Sequence, residues 1–201
     1  METKKQLIIS VGREFGSGGH VIAEMLAKKY DLPLYDKNLL EEIEAEKNLE
    51  PGSFEKYDEK PKRRLFYRTV KGHSNSPEEN IAMHQFEYLK KKAKNGDSFV
   101  IVGRCAEDVL HDCKAMVSIF ILGDFDVKVK RISELHNLSK SKAEDMIRNK
   151  DKKRKTYHNY YCKGKWGDSR CYDFSVNSSR MGIEKTAKII SDYIDMRLED
   201  M

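Results

Sequence analysis

The sequence predicts an α/β fold, a five-stranded parallel sheet with helices on both faces. Three observations predict it. Short apolar, β-branched runs recur along the chain, among them Leu7-Ile8-Ile9-Ser10-Val11, Ser98-Phe99-Val100-Ile101-Val102 and Met116 to Leu122, each of a length suited to a strand buried on both faces. Strand and helix patterns alternate five times, which favours parallel strands joined by crossover helices. At 201 residues the chain has room for one domain with a full core and too little for two ordinary ones, so residues 1–201 are read as a single domain.

The first strand runs straight into four glycines within eight positions, Gly12 to Gly19 in VGREFGSGGH, and then into Val21, Ile22, Met25 and Leu26 at helical spacing. Strand, glycine loop, helix is an arrangement that turns backbone N–H groups inward and adds the positive end of a helix, so it attracts phosphate. The standard phosphate loop reads GxxxxGK(S/T). Aligned on Gly16-Ser17-Gly18, this chain has Arg13 at the first glycine, Gly19 at the lysine and His20 at the hydroxyl. The residues therefore argue for phosphate binding more strongly than for phosphoryl transfer. A glycine turn needed only for close packing of strand on helix is the alternative.

Further along, Leu32 to Asp36 is a short second strand ending in an acid, and Lys37 to Lys47 a helix buried through Leu39, Leu40 and Ile43. Regular pattern fails from about residue 48 to 77, where Pro51-Gly52, Pro61 and Gly72 interrupt the chain and Lys60 to Arg68 mixes basic and aromatic residues. This stretch is expected to be a mobile insertion. Ser76-Pro77-Glu78-Glu79 starts a helix with a capping box, and Asn95-Gly96 ends it. Gly103-Arg104-Cys105 follows the next strand. Gly123-Asp124 follows the strongest one, and Asp124 and Asp126 are read as helix caps in preference to metal-binding acids. Ser139 or Ser141 opens a long basic helix through Arg148, Asp151, Arg154 and Tyr157; Lys163 to Asp168 breaks it. Tyr172 to Val176 is the last strand, and Ile183, Ala187, Ile190 and Ile194 mark the closing helix. Ligands of such sheets sit beyond the carboxyl ends of the strands, which places Gly16 to His20, Asp36, Arg104 and Asp124 along one rim.

Charge is uneven. Asp126 to Arg170 carries fourteen Lys and Arg against six Asp and Glu, a local +8 in a chain whose net charge is +5. Such a patch suits an anionic partner, nucleotide or nucleic acid. No stretch reaches the length of a membrane-spanning helix and the first residues lead directly into a strand, so no membrane partner is expected and the cytoplasm is the expected location. Cys105, Cys113, Cys162 and Cys171 lack CxxC spacing and are read as packing or incidental thiols, with no metal expected. His158, four residues after Arg154, could face the same ligand but, alone on its helix, is read as a surface residue in preference. Tyr157, Tyr160, Tyr161 and Trp166 are expected to stack on a base or, for at least half of them, to anchor the basic helix to the core.

Taken together, GREFGSGG, LYDK, FVIVGRCA, RNKDKKRKTYHNYY and YDFSVNSSRMGIE, in this order from Leu7 to about Ile190, resemble the cytidylate kinase-like family, a branch of the P-loop nucleoside-monophosphate kinases. The resemblance implies a P-loop NTPase fold with a helical lid over 139–170 and an acceptor-side insertion over 48–77. It implies that Gly16, Ser17, Gly18, Gly19 and His20, with Arg13, bind nucleotide phosphates. Asp36 would border the acceptor site and Arg104 would hold the acceptor phosphate. Arg131 and Arg154, with Lys150, would supply cations to the phosphates in transfer, making Arg104, Arg131 and Arg154 the catalytic set. ATP and Mg²⁺ are the cofactors the family implies, although Arg13, Gly19 and His20 depart from the loop that would hold them. The function implied is transfer of a phosphoryl group from a nucleoside triphosphate to a nucleoside monophosphate. A catalytically impaired nucleotide-binding sensor or regulatory protein is the second reading. Nucleic-acid binding through the basic patch ranks last because no recognition motif accompanies it.

Overall fold

The computed structural model describes residues 5–47, 50, 52–54, 69–70, 73–74 and 76–200. In chain order the elements are β1 (Ile8–Arg13), α1 (Gly19–Tyr30), β2 (Leu34–Tyr35), α2 (Asn38–Glu46), β3 (Thr69–Val70), β4 (His73–Ser74), α3 (Pro77–Lys94), β5 (Phe99–Val102), α4 (Ala106–Val109), β6 (Met116–Leu122), α5 (Phe125–His136), α6 (Lys140–Tyr161), a 3₁₀ turn (Ser169–Cys171), β7 (Phe174–Asn177) and α7 (Ile183–Asp200). Five strands form one sheet in the order β2-β5-β1-β6-β7, every neighbouring pair parallel. The expected sheet is thus present, and its order sets the glycine loop, at the end of the central strand, between the ends of β5 and β6. β3 and β4 form a separate antiparallel pair. Most of the expected insertion at 48–77, including the basic and aromatic run Lys60 to Arg68, lies outside the described residues; Gly52, Ser53 and Phe54 are tied to the buried carboxylate of Glu44.

Alternate side chains of each strand point to opposite faces, and both faces are covered. Ile9 and Val11 of β1, Val100 and Val102 of β5 and Val117, Ile119 and Ile121 of β6 pack beneath Ile22, Ala23 and Leu26 of α1 and Ala187, Ile190 and Ile194 of α7. On the other face Ile8, Phe99 and Ile101 pack against Leu39 and Ile43 of α2, Leu89 of α3 and Ala106 of α4. A smaller cluster, Val129 and Ile132 with Ala143 and Ile147, fastens α6 to α5. Ser76 caps α3 by accepting from the Glu79 N–H, with proline at the start of the helix. Between the two candidates for α6, the cap is Ser139, which accepts from the Lys142 N–H.

Candidate functional site

Chain geometry at the end of β1 builds the site. Gly16 and Gly18 have φ of 84° and 82°, a left-handed backbone that favours glycine, and Gly18 is the N-cap of α1 without a side-chain hydrogen bond to it. The first-turn N–H groups of α1 thus have no capping side chain, which suits them to an anion. Gly19 is fixed by a close approach: a Cβ there would stand 2.5 Å from the Cβ of Arg13. The side chain of Arg13 occupies the room that a lysine at position 19 would need. The two departures from the standard loop are one structural exchange, with the cation moved from the first turn of the helix to the end of the strand.

The loop is braced from outside. Arg131 on α5 donates to the Gly16 carbonyl at 2.7 Å, and the buried Ser178 hydroxyl donates to the Ser17 carbonyl at 2.5 Å. The Phe15 N–H donates to Asp151 of α6 at 2.6 Å. Lys128, buried, reaches Glu14 at 2.9 Å and Asp151 at 3.2 Å. Ser17 is fully buried and its hydroxyl donates to the Glu14 carbonyl, so it shapes the loop instead of facing a ligand. No local sequence pattern marks Ser178, Lys128, Glu14 or Asp151 for this duty, because they come from the chain after β7, from α5, from the loop itself and from α6 and meet only in the fold.

Asp36, just past β2, is the meeting point of the cations. Its carboxylate lies 3.8 Å from Arg13 Nη2, 3.9 Å from Arg104 Nη2 and 3.2 Å from His20 Nδ1, while Arg104 also donates to the Asp36 carbonyl at 3.1 Å. His20 bridges on to Glu24. The two guanidinium groups outnumber the one carboxylate they share, a balance that suits an anionic ligand. Arg104 has a side chain only 1% exposed. Burial pulls its guanidinium down to about 10, opposed by Asp36, so it stays charged at neutral pH. Gly103, Arg104 and Cys105 have consecutive φ of 76°, 61° and 56°. Two non-glycine residues in this conformation cost on the order of 1–2 kcal/mol each, and the turn so formed aims Arg104 inward beneath the rim.

Arg154 of α6 donates to the Arg13 carbonyl at 3.3 Å and lies over the Phe15 ring, and it lines the same cleft as Gly12, Arg13, Gly103, Arg104 and Tyr157. Arg13, His20, Asp36, Arg104 and Arg154 are therefore brought together. Arg131 is not among the residues lining this cleft but lies against the loop at Gly16 and Gly18, and Lys150 lies over Phe15. Asp124 occupies the N-cap position of α5 without making the cap bond; its carboxylate instead accepts from Asn177 and pairs with Arg180. Tyr157 is buried and Tyr161 packs on it and on Phe86, while Trp166 meets Phe120 edge-on; Tyr157 and Trp166 also line the cleft, and Tyr160 is exposed.

His158 is not on the surface. It is buried, with Nε2 2.5 Å from Glu107 Oε1. Burial disfavours its charge, yet hydrogen bonds with Cys162 and Glu107 outweigh this and raise it to about 10. A hydrogen bond from Cys105 lowers Cys162. The spacing of four between His158 and Cys162 was the available signal, but Glu107 lies 51 residues away from His158 and no sequence pattern links them.

This architecture has known counterparts. The sequence profile of the cytidylate kinase-like family matches residues 8–180. The chain belongs to the cytidylate kinase-like family. A cytidylate kinase of Methanocaldococcus jannaschii is 28% identical over 193 residues, covering 94% of this chain and 98% of that one. The crystal structure of an uncharacterized protein from Eubacterium ventriosum superposes with a TM-score of 0.74 at 40% identity, covering 94% of this chain and 99% of the other. The shikimate kinase of Bacteroides thetaiotaomicron, at 15% identity, a TM-score of 0.54 and coverage of 94% and 98%, shares the fold. This cytidylate kinase-like chain thus has the α/β fold of the nucleoside-monophosphate kinase type. Among the described residues no helix is long and apolar enough to cross a membrane.

Proposed function

We propose that the protein is a nucleoside-monophosphate kinase-like phosphotransferase, with a pyrimidine monophosphate such as CMP as its acceptor and a nucleoside triphosphate as its donor. The observation that carries the reading is the convergence of Arg13, Arg104 and Arg154 on one cleft beside the N-terminus of α1. Phosphoryl transfer through a loose transition state needs in-line positioning and cations on the equatorial oxygens more than a covalent catalyst. Guanidinium groups grip such oxygens in pairs. In this reading the glycine loop and the first turn of α1 hold the donor phosphates, Arg13 stands in for the loop lysine, and Arg104 and Asp36 orient the acceptor. Arg154 is carried onto the transferring group by α6, which with residues 139–170 acts as the lid. Arg131 is a positioning residue through the Gly16 carbonyl. The acceptor's identity leans on the cytidylate kinase of M. jannaschii.

The donor set fits phosphate better than Mg²⁺. Where the standard loop offers a hydroxyl, this one offers His20, whose imidazole is engaged by Asp36 and Glu24, and the Ser17 hydroxyl is turned to a backbone carbonyl. Mg²⁺ prefers oxygen ligands, so the loop does not hold it and no step is assigned to it. A specific observation favours a second reading, a nucleotide-binding protein without transfer activity: Arg13 lies beside Asp36, which engages part of the charge that a loop lysine would direct at the donor.

³¹P NMR of the protein with MgATP and each nucleoside monophosphate in turn separates the two. Diphosphate signals with one or two acceptors support the kinase and name its substrate. Shifted phosphate resonances without product support the binding protein, and unchanged spectra in every tube refute both.

A further inference from the structure

Among the described residues, one group of metal-competent side chains joins α4 to the last turn of α6 at the edge of the phosphate cleft. We propose that Glu107, His158 and Cys162 form a binding site for one zinc-class divalent ion. One carboxylate oxygen, one imidazole nitrogen and one sulfur lie within 4.8 Å of one another. Glu107 and His158 are buried and Cys162 is half-buried. His158 and Cys162 are four apart on the final turn of α6 and at its C-cap, a spacing that presents both on one side of a helix.

The chemistry of the donors selects the ion. A thiolate, an imidazole and a carboxylate suit Zn²⁺ or Co²⁺, whereas Mg²⁺ and Ca²⁺ want oxygen alone. Three protein ligands of a tetrahedral ion leave a fourth position, as in zinc sites that keep a water. Glu107 and His158 line the cleft that also holds Arg104 and Arg154, which gives the ion a route to the site. Surrounding groups support the ligands. Tyr172 Oη lies 3.5 Å from Glu107 Oε1, His158 Nδ1 lies 3.4 Å from Asn159 Oδ1 with Nε2 turned toward Glu107, and the Cys105 thiol hydrogen-bonds to Cys162. Such outer contacts orient metal ligands.

Binding balances simply. The ion takes Nε2, the carboxylate oxygen and the sulfur; the proton between His158 and Glu107 and the thiol proton of Cys162 leave, and no electrons are exchanged. The Nε2 to Oε1 separation widens from 2.5 Å to about 3.3 Å, the spacing of two ligands on a tetrahedral zinc. The bound ion joins the turn that carries Arg104 to the helix that carries Arg154. This site is independent of whether the protein transfers phosphate.

The test is a Co²⁺ titration of the full-length protein, reduced, stripped of metal and free of nucleotide. The expected result is one equivalent of Co²⁺ with a near-ultraviolet thiolate-to-cobalt charge-transfer band and visible bands of four-coordinate cobalt, all reversed by one equivalent of Zn²⁺. Cys162→Ser abolishes the charge-transfer band, His158→Gln weakens binding at least about 10-fold, and Cys113→Ser and Cys171→Ser leave both unchanged. Circular dichroism verifies that each variant is folded; if Cys162→Ser is not, the His158→Gln affinity decides. Absence of the band in the wild-type protein, a band that survives Cys162→Ser, or one that His158→Gln leaves at full affinity overturns the site.

Discussion

The exchange between Arg13 and Gly19 makes a quantitative prediction. A Cβ at position 19 would lie 2.5 Å from Arg13 Cβ and 3.1 Å from its Cγ, well inside the roughly 3.5–4.0 Å at which two carbons attract. Neither side yields easily: Arg13 ends the central strand, is 8% exposed and pairs with Asp36, and Gly19 is buried at the start of α1. Overpacking of this kind costs about 1–3 kcal/mol, against which alanine regains up to about 1 kcal/mol of helix preference over glycine. Gly19→Ala should therefore destabilise the wild type by about 1–2 kcal/mol. In an Arg13→Gly background the obstructing carbons are gone, and the same substitution should be neutral or slightly stabilising. The coupling, about 2 kcal/mol, is of the size expected for residues in contact. Urea unfolding of the four proteins measures it; with a slope of about 1–3 kcal/mol per molar, the midpoint of Gly19→Ala shifts by roughly 1 M in one background and hardly in the other. Equal costs in both backgrounds would refute the idea that Arg13 is what keeps position 19 a glycine.

The remaining predictions bear on the cleft and its supports. Arg104→Ala should weaken CMP binding, measured by calorimetry, by about 10- to 150-fold, the equivalent of about 1.5–3 kcal/mol for a hydrogen bond to a charged group; unchanged affinity would remove Arg104 from the acceptor site. Arg131→Ala releases the Gly16 carbonyl and should raise the KM for the triphosphate while leaving CMP affinity in place, whereas a loss of CMP binding would point to a direct role. Lys128→Met leaves the Glu14 and Asp151 carboxylates facing each other without their shared cation. A loss of about 1–3 kcal/mol for the carboxylates left without their donor, or about 2–12 °C in Tm, is expected, and a rise in Tm would show that the ion pairs are not net stabilising.

How much of this was legible in the sequence depends on the range of the interactions. The parallel sheet was legible because each strand is a short apolar run and both faces are buried, so composition alone marks Ile8 to Val11, Phe99 to Val102 and Met116 to Leu122. The convergence of Gly16 to His20, Asp36 and Arg104 on one rim was legible because the ends of parallel strands share an edge. Strand order was not, since it depends on which crossover goes which way. The position of His158 was misread because α6 is basic on most of its length, yet its last turn dips into a cluster with Cys105, Ala82 and Phe86, partners far away in the chain.

The motif comparison carried a different kind of error, and it bears on function. Position by position, Arg13, Gly19 and His20 look like three losses from the phosphate loop. In three dimensions the first two compensate each other: a glycine at 19 admits the arginine, and the arginine brings a cation to the edge of the loop. Burial of a cation is costly unless a partner or ligand offsets it; Asp36 is one such partner, and a phosphate in the loop would be a second. Arg13→Gly combined with Gly19→Lys, which moves the cation back to the helix, discriminates further. If the triphosphate binds this double variant at least as tightly as wild type, and far better than it binds Arg13→Gly alone, the two positions supply the same charge to the same phosphates. If the double variant binds no better than Arg13→Gly, the arginine serves Asp36 and the acceptor side instead.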